Sequence, residues 1–140
     1  MKLAIDEAKK AIQNQEGMAF GAVIVKDGKV LSSAHNSVNK DQNPTSHAEI
    51  NAIKIACQKL RSKDLSGAIL YSTCEPCPMC FTASWWANIS EIIFGVSLQD
   101  VTIVSDEIDV SAEYLNKKGK SKIKISKGFM KDKCLTLYKS

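Results

Sequence analysis

Proline and glycine are scarce in this chain, three and seven among 140 residues. Collagen-like and low-complexity sequences need far more of both, and 44% hydrophobic residues is too many for a disordered chain. No apolar run reaches the roughly 18 residues of a membrane span. Met1 to Gln15 is charged throughout and lacks the apolar core of a secretory signal. There is no internal repeat and no linker, and the length suits a single domain, residues 1–140, with one core. These absences lead to the expectation of a soluble, cytoplasmic protein with no membrane partner.

The charge is modest in sum and uneven in place. The formal net charge is +4, from 19 basic and 15 acidic side chains. Met1 to Asn116 carries 10 Lys/Arg and 14 Asp/Glu, a net −4, whereas Lys117 to Ser140 carries 9 lysines and one acid, Asp132, a net +8. A basic end on an acidic body suits a nucleic-acid contact or a solvated strand face. The segment has lysines only, several alternating along a strand pattern, which favours solvation. Five cysteines, without an export signal, do not suggest a disulfide framework. The run Cys74-x-x-Cys77-x-x-Cys80 asks instead for a metal or redox role.

Hydrophobic periodicity predicts a helix over residues 2 to 15, ended by Gly17. Phe20–Lys26 and Lys29–Ala34 read as strands joined by a type I′ turn at Asp27-Gly28. Residues 36–44 are polar and turn-forming, and a helix is expected over His47–Leu60. Then follow a strand at Ala68–Thr73, a helix at Cys77–Ala87, a strand at Glu91–Val96 and an irregular helix near Asp106–Asn116. Lys120–Ser126, with Ile123 and Ile125 inward, reads as a half-buried strand, and Met130–Tyr138 as a last helix. This order of elements implies an α/β fold, a three-layer sandwich with helices on both faces of the sheet.

Reactive residues gather in two segments, Pro44-Thr45-Ser46-His47-Ala48-Glu49 and Cys74-Glu75-Pro76-Cys77-Pro78-Met79-Cys80. Each lies where a loop enters a helix. Cysteines three apart in a first helical turn share a face and can hold one ion, and His47 can complete a three-ligand set with a fourth position open for water. Glu49, two residues beyond His47, can reach past the ion toward that water. A metal that activates water, with a carboxylate to move its proton, is equipment for hydrolysis at an unsaturated carbon. Other readings stay open for the parts. Ser46-x-x-Glu49 also fits a capping box. Cys77-x-x-Cys80 alone fits a redox pair or half a zinc finger. Cys74 can join His47 in a closed, purely structural Cys3His site, although Pro76 sets Cys74 at a strand end, away from the helix start. An iron–sulfur run lacks its fourth Cys-Pro.

His47-x-Glu49 with Pro76-Cys77-x-x-Cys80 matches the signature of zinc nucleobase deaminases. The chain resembles the cytidine-deaminase-like superfamily, in its branch of guanine, nucleoside and tRNA adenosine deaminases. The likeness runs from Phe20-Gly21-Ala22-Val23-Ile24-Val25-Lys26-Asp27-Gly28 through His35-Asn36 and Asn43-Pro44-Thr45 to Gly128-Phe129 and Cys134-Leu135. It implies a mixed five-stranded sheet between helices, one zinc ion per chain held by His47, Cys77 and Cys80, and Glu49 as the proton shuttle. It also implies a substrate site using Asn36, Phe20, the backbone of Ala48, the Glu75-Pro76 turn and Asp100. Asn36 also suits a turn, Phe20 a core, and Asp100 a helix N-terminus. Cys74-Glu75-Pro76 and Trp85-Trp86-Ala87 are similar to guanine deaminases, while the C-terminal segment follows the tRNA and nucleoside enzymes. Asn43 stands where the family has Asp, and Met18-Ala19 where it has Gly-Pro. The implied activity is hydrolytic deamination of a nucleobase or nucleoside, guanine first, with tRNA adenosine as the alternative and cytosine or cytidine as a second. A homodimer, served by Trp85 and Trp86, belongs to the same resemblance.

Overall fold

The N-terminal periodicity folds as read. Lys2–Gln13 forms α1 and buries Ala4, Ile5, Ala8 and Ala11 along one stripe. The structure, a computed structural model, describes residues 1–101 and 106–139. The strands are β1 (Gly21–Lys26), β2 (Lys29–His35), β3 (Ile69–Cys74), β4 (Glu91–Val96) and β5 (Lys124–Ser126). They form one sheet in the order β2-β1-β3-β4-β5. β1 is antiparallel to β2 and β3, while β3, β4 and β5 are mutually parallel, so the sheet is mixed. Asp27 and Gly28 both have positive φ, 52° and 73°, as a type I′ hairpin turn requires.

Helices cover both faces. α3 (Ala48–Leu60), α4 (Pro78–Trp86) and α5 (Ala112–Lys118) contribute Ala52, Ala56, Phe81 and Ala112 to a core with Ile24, Leu70 and Ile92 from the sheet. A second cluster, at the edge of the sheet, packs Ile5 of α1 and Cys134 of α6 (Lys131–Leu135) with Cys74, Val96 and Leu98. Helix α1 comes so close to β1 that a Cβ on Gly21 would land on the Ala4 carbonyl oxygen, and only glycine permits that approach. No helix among the described residues is long and apolar enough to cross a membrane.

Four expectations shift. Phe20 lies just before β1 rather than in it. The polar stretch 36–44 contains a short helix, α2 (Val38–Asp41). The helix expected near Asp106–Asn116 begins only at Ala112, because the Ser111 hydroxyl accepts the Tyr114 N–H and fixes the start there. The strand expected from Lys120 is confined to Lys124–Ser126, since Lys120 and Ser121 adopt positive φ, 66° and 51°, which a strand cannot include. Ile123 is nonetheless buried, held by the Asn116 side chain, which bonds both its N–H and its carbonyl.

Register determines what meets at the functional edge. Gly21 pairs His35, Ala22 pairs Ser72, and Cys74 pairs Val96. The start of β1 and the ends of β2, β3 and β4 therefore lie together, which brings Phe20, Asn36, Glu75 and Leu98 to one edge. Helices α3 and α4 begin above it. In open α/β sheets such a crevice at the carboxyl ends of strands is where ligands bind.

Candidate metal centre and active site

The loop into α3 is built by Asn43, whose Oδ1 accepts from the Thr45 N–H and hydroxyl at 2.9 and 2.8 Å. That Asx turn delivers His47 as the extended N-cap residue of α3, with ψ 157°. Cys77 is likewise the extended N-cap of α4, and Pro78 occupies the first helical position, where its fixed φ suits the start. Cys80, one turn into α4, is fully buried. Ligand atoms of His47, Cys77 and Cys80 all lie within 4.8 Å of one another.

The donor set fits zinc closely. Zn–S near 2.3 Å and Zn–N near 2.05 Å at a tetrahedral angle require an S···N edge of about 3.6 Å. His47 Nδ1 is 3.6 Å from Cys77 Sγ and 3.6 Å from Cys80 Sγ. Cys74 ends β3 and stands outside this group, so among the described residues the cluster has three ligands, not four. The local electrostatics favour a thiolate. The Cys77 thiol is lowered to about 4, chiefly by the hydrogen bond from Cys80 and then by His47, against the pull of burial. Its bond with Cys77 likewise raises the His47 pKa.

Glu49 is buried and makes no capping box. The N-cap of α3 is His47, and no side chain caps that helix. The Glu49 carboxylate instead accepts the Ser72 hydroxyl at 2.7 Å through Oε1 and the Cys80 thiol at 3.3 Å through Oε2. Burial raises its pKa, and the Ser72 bond opposes that rise. A carboxyl so placed beside the ligand group is suited to take up and release a proton.

A cavity of about 260 Å³ opens onto this group. His47, Glu49, Cys77, Phe20 and Asn36 line it. Asn36 is buried, and its Oδ1 accepts the Val38 N–H at 3.1 Å. The Phe20 ring is backed by Tyr138, with centroids 5.4 Å apart, and the Tyr138 hydroxyl donates to Thr73 Oγ1 at 3.0 Å. Ala48 is wholly buried between the two lining residues His47 and Glu49 and is not itself in the lining. Asp100 is also outside it. Within the 3-10 turn Leu98–Val101, Asp100 accepts the Ser97 N–H at 2.9 Å while Ser97 Oγ accepts the Asp100 N–H, and Lys131 pairs with it at 3.2 Å. It is the return half of a capping box, not a cavity residue.

Ser72 and Glu75 were not singled out for the roles they have. Glu75 lines the cavity, yet Oε1 accepts the Leu98 N–H at 3.1 Å and Oε2 the Ala112 N–H at 2.8 Å. Strand alternation, which puts Ser72 on the face of Leu70 and Cys74, is the only sequence signal that could have marked Ser72. Asp106 and Glu107 add two more acids to the lining.

Comparison with known proteins agrees with this geometry. The family model described as the cytidine and deoxycytidylate deaminase zinc-binding region matches residues 1–96. A tRNA-specific adenosine deaminase from Aquifex aeolicus is 48% identical over 95 residues, 68% of this chain and 62% of that enzyme. The chain thus spans under two thirds of that relative's length. A guanine deaminase from Bacillus subtilis is 38% identical over 120 residues, 81% of this chain and 77% of that enzyme. A solved structure from work on A-to-I editing by tRNA:A34 deaminases at the wobble position of transfer RNA superposes with a TM-score of 0.84. It is 29% identical and covers 98% of this chain and 96% of its own. With its fold, its zinc-ready His47, Cys77 and Cys80, and a family match over more than half its length, the chain belongs to the cytidine and deoxycytidylate deaminase zinc-binding family.

Proposed function

We propose that this protein is a zinc-dependent hydrolase that removes the exocyclic amine of a free nucleobase, guanine first, and releases ammonia. The observation that carries the reading is the character of the cavity. It holds about 260 Å³, below the roughly 300–1,000 Å³ of ordinary ligand clefts, and among the described residues carboxylates line it with no lysine or arginine beside them. A base bearing several N–H groups finds acceptors there, whereas a phosphate backbone needs cations. His47, Cys77 and Cys80 hold the zinc, which when bound activates water at neutral pH. Glu49 takes one proton from the attacking water to the ring nitrogen and then carries the second, from the new hydroxyl, to the departing amine, so that the C–N bond breaks, ammonia leaves and a carbonyl remains. Phe20 stacks on the ring. Asn36, its oxygen turned to Val38, offers its amide N–H groups to the base.

A second reading, deamination of adenosine in a tRNA anticodon, draws on the Aquifex relative and on the +8 charge of residues 117–140. Against it, five of those lysines are engaged within the chain: Lys118 on the Tyr114 ring, Lys122 on the Trp85 carbonyl, Lys124 with Glu91, Lys127 with Glu113 and Lys131 with Asp100. A homodimer would cover Trp86, which is 72% exposed. Ammonia release by the zinc-loaded protein, measured against a panel of bases, nucleosides and an anticodon minihelix, is the test. Guanine turnover is expected, abolished in Glu49→Ala with zinc retained. Turnover of the minihelix alone, falling steeply with salt, would replace the first reading by the second.

A further inference from the structure

His35, the last residue of β2, uses both ring nitrogens on carboxylates. Nδ1 lies 2.6 Å from Glu7 Oε2, and Nε2 lies 2.6 Å from Glu16 Oε2. An imidazole donates from both nitrogens only as the cation, and a neutral ring would set one lone pair against a carboxylate oxygen. The cation thereby joins three segments, β2, α1 and the turn after α1. It also lies directly behind one wall of the cavity. Asn36 is the next residue, and Glu16 precedes Gly17, which lines the cavity. The Glu16 carbonyl accepts the N–H groups of Asn39 and Lys40 at 2.9 and 3.1 Å. Gly17 packs so tightly on Asn36 that a Cβ there would strike the Asn36 side-chain oxygen.

We propose that His35, as an imidazolium shared between Glu7 and Glu16, is a positioning residue that sets the Gly17–Asn36 wall on which the base is held. The inference rests on the reading of Asn36 as a base contact. The charged groups around His35 are Glu7 and Lys10 of α1, Glu16 of the turn, Lys40 and Asp41 of α2, and Lys54 of α3. Histidine is the side chain whose ordinary charge change falls near neutrality. Burial works against its charge, but the bonds to Glu7 and Glu16 outweigh burial and hold its pKa above the ordinary 6.5. A folded value above the unfolded one means the clamp is complete below about 6.5 and is released as pH rises through the folded value.

The chain has two histidines, and His47 is the metal ligand, so the His35 ring signals stand alone in an NMR titration of the zinc-loaded protein. Between about pH 6 and pH 10 the amide signals of Gly17 and Asn36 are expected to move with the His35 midpoint. KM for guanine is expected to rise about tenfold through that midpoint, with kcat changing far less. His35→Gln should show the high KM at every pH. His35→Arg, a permanent cation with several donors, should keep KM low and remove its pH response. A KM that stays flat across a measured His35 titration overturns the proposal, as do Gly17 and Asn36 amides that ignore it. The titration needs no variant, so it decides the matter even where His35→Gln fails to fold. It also needs no turnover. If guanine is not the substrate, the functional reading fails while the amides still report whether the clamp exists.

Discussion

Ser72→Ala isolates the orientation of Glu49 from the metal. Ser72 is 1% exposed, and its hydroxyl lies 2.7 Å from Glu49 Oε1. Alanine fits the same space, so the change removes one hydrogen bond and little packing. Hydrogen bonds to charged groups contribute about 1.5–3 kcal/mol. If that interaction holds the carboxylate where the proton must be taken, kcat should fall roughly 10- to 150-fold, at about tenfold per 1.4 kcal/mol. Zinc content should stay at one per chain, because no ligand is touched. The pH profile supplies an independent sign. The Ser72 bond lowers the Glu49 pKa against burial, so its loss raises that pKa further. The acid limb of the rate profile should then move to higher pH, since Glu49 accepts a proton only when ionised. Ammonia release measured on the zinc-loaded variant across pH gives both quantities. A kcat within twofold of the parent, with an unmoved acid limb and full zinc, would refute the role given to Ser72.

Three further outcomes are expected. Zinc occupancy should fall as pH is lowered, because His47 holds its proton more tightly than usual, chiefly through its bond with Cys77, and must give it up to bind metal; metal analysis after dialysis at stepped pH checks this. Gly17→Ala should raise KM for the base by about tenfold or more while leaving zinc content unchanged, since its Cβ would meet the Asn36 side chain and displace it; steady-state kinetics with metal analysis reads both. Asp100→Ala should act on stability, by about 0.5–2 kcal/mol in a urea melt, because it dismantles the capping box with Ser97.

The sequence disclosed those parts of the site that are local. His47 with Glu49 and Cys77 with Cys80 are set by one helical turn each, so spacing alone carries their geometry. The partners of Glu49 and Glu75 were hidden because they arrive through strand register and chain return: Ser72 is 23 residues from Glu49, and Ala112 is 37 from Glu75. The resemblance puts Asp100 at the substrate and its residue type suits a helix start as well; its bonds with Ser97 match the second. The lysine-rich end is a case of composition without context, since its strand pattern is cut short by the positive φ of Lys120 and Ser121 and its charges find partners in Glu91, Glu113 and Asp100. The fold class was legible because the alternation of helical and strand periods survives over most of the chain.

Glu75 stands one residue after the end of β3 and outside the group of His47, Cys77 and Cys80, yet its two oxygens hold the chain at Leu98 and again at Ala112. Two backbone points 14 residues apart in the chain therefore meet at a single carboxylate. Bringing two such points together lowers chain entropy, and here one side chain of the cavity lining makes the closure. Glutamine is therefore no substitute despite its equal size. Its amide would keep one acceptor and turn N–H groups toward a backbone N–H, releasing one of the two points. The stretch that carries Asp106 and Glu107 past the cavity would then be tethered at one point instead of two. The acidic lining of the cavity thus depends on a topological closure made next to the metal loop and not on the lining residues alone.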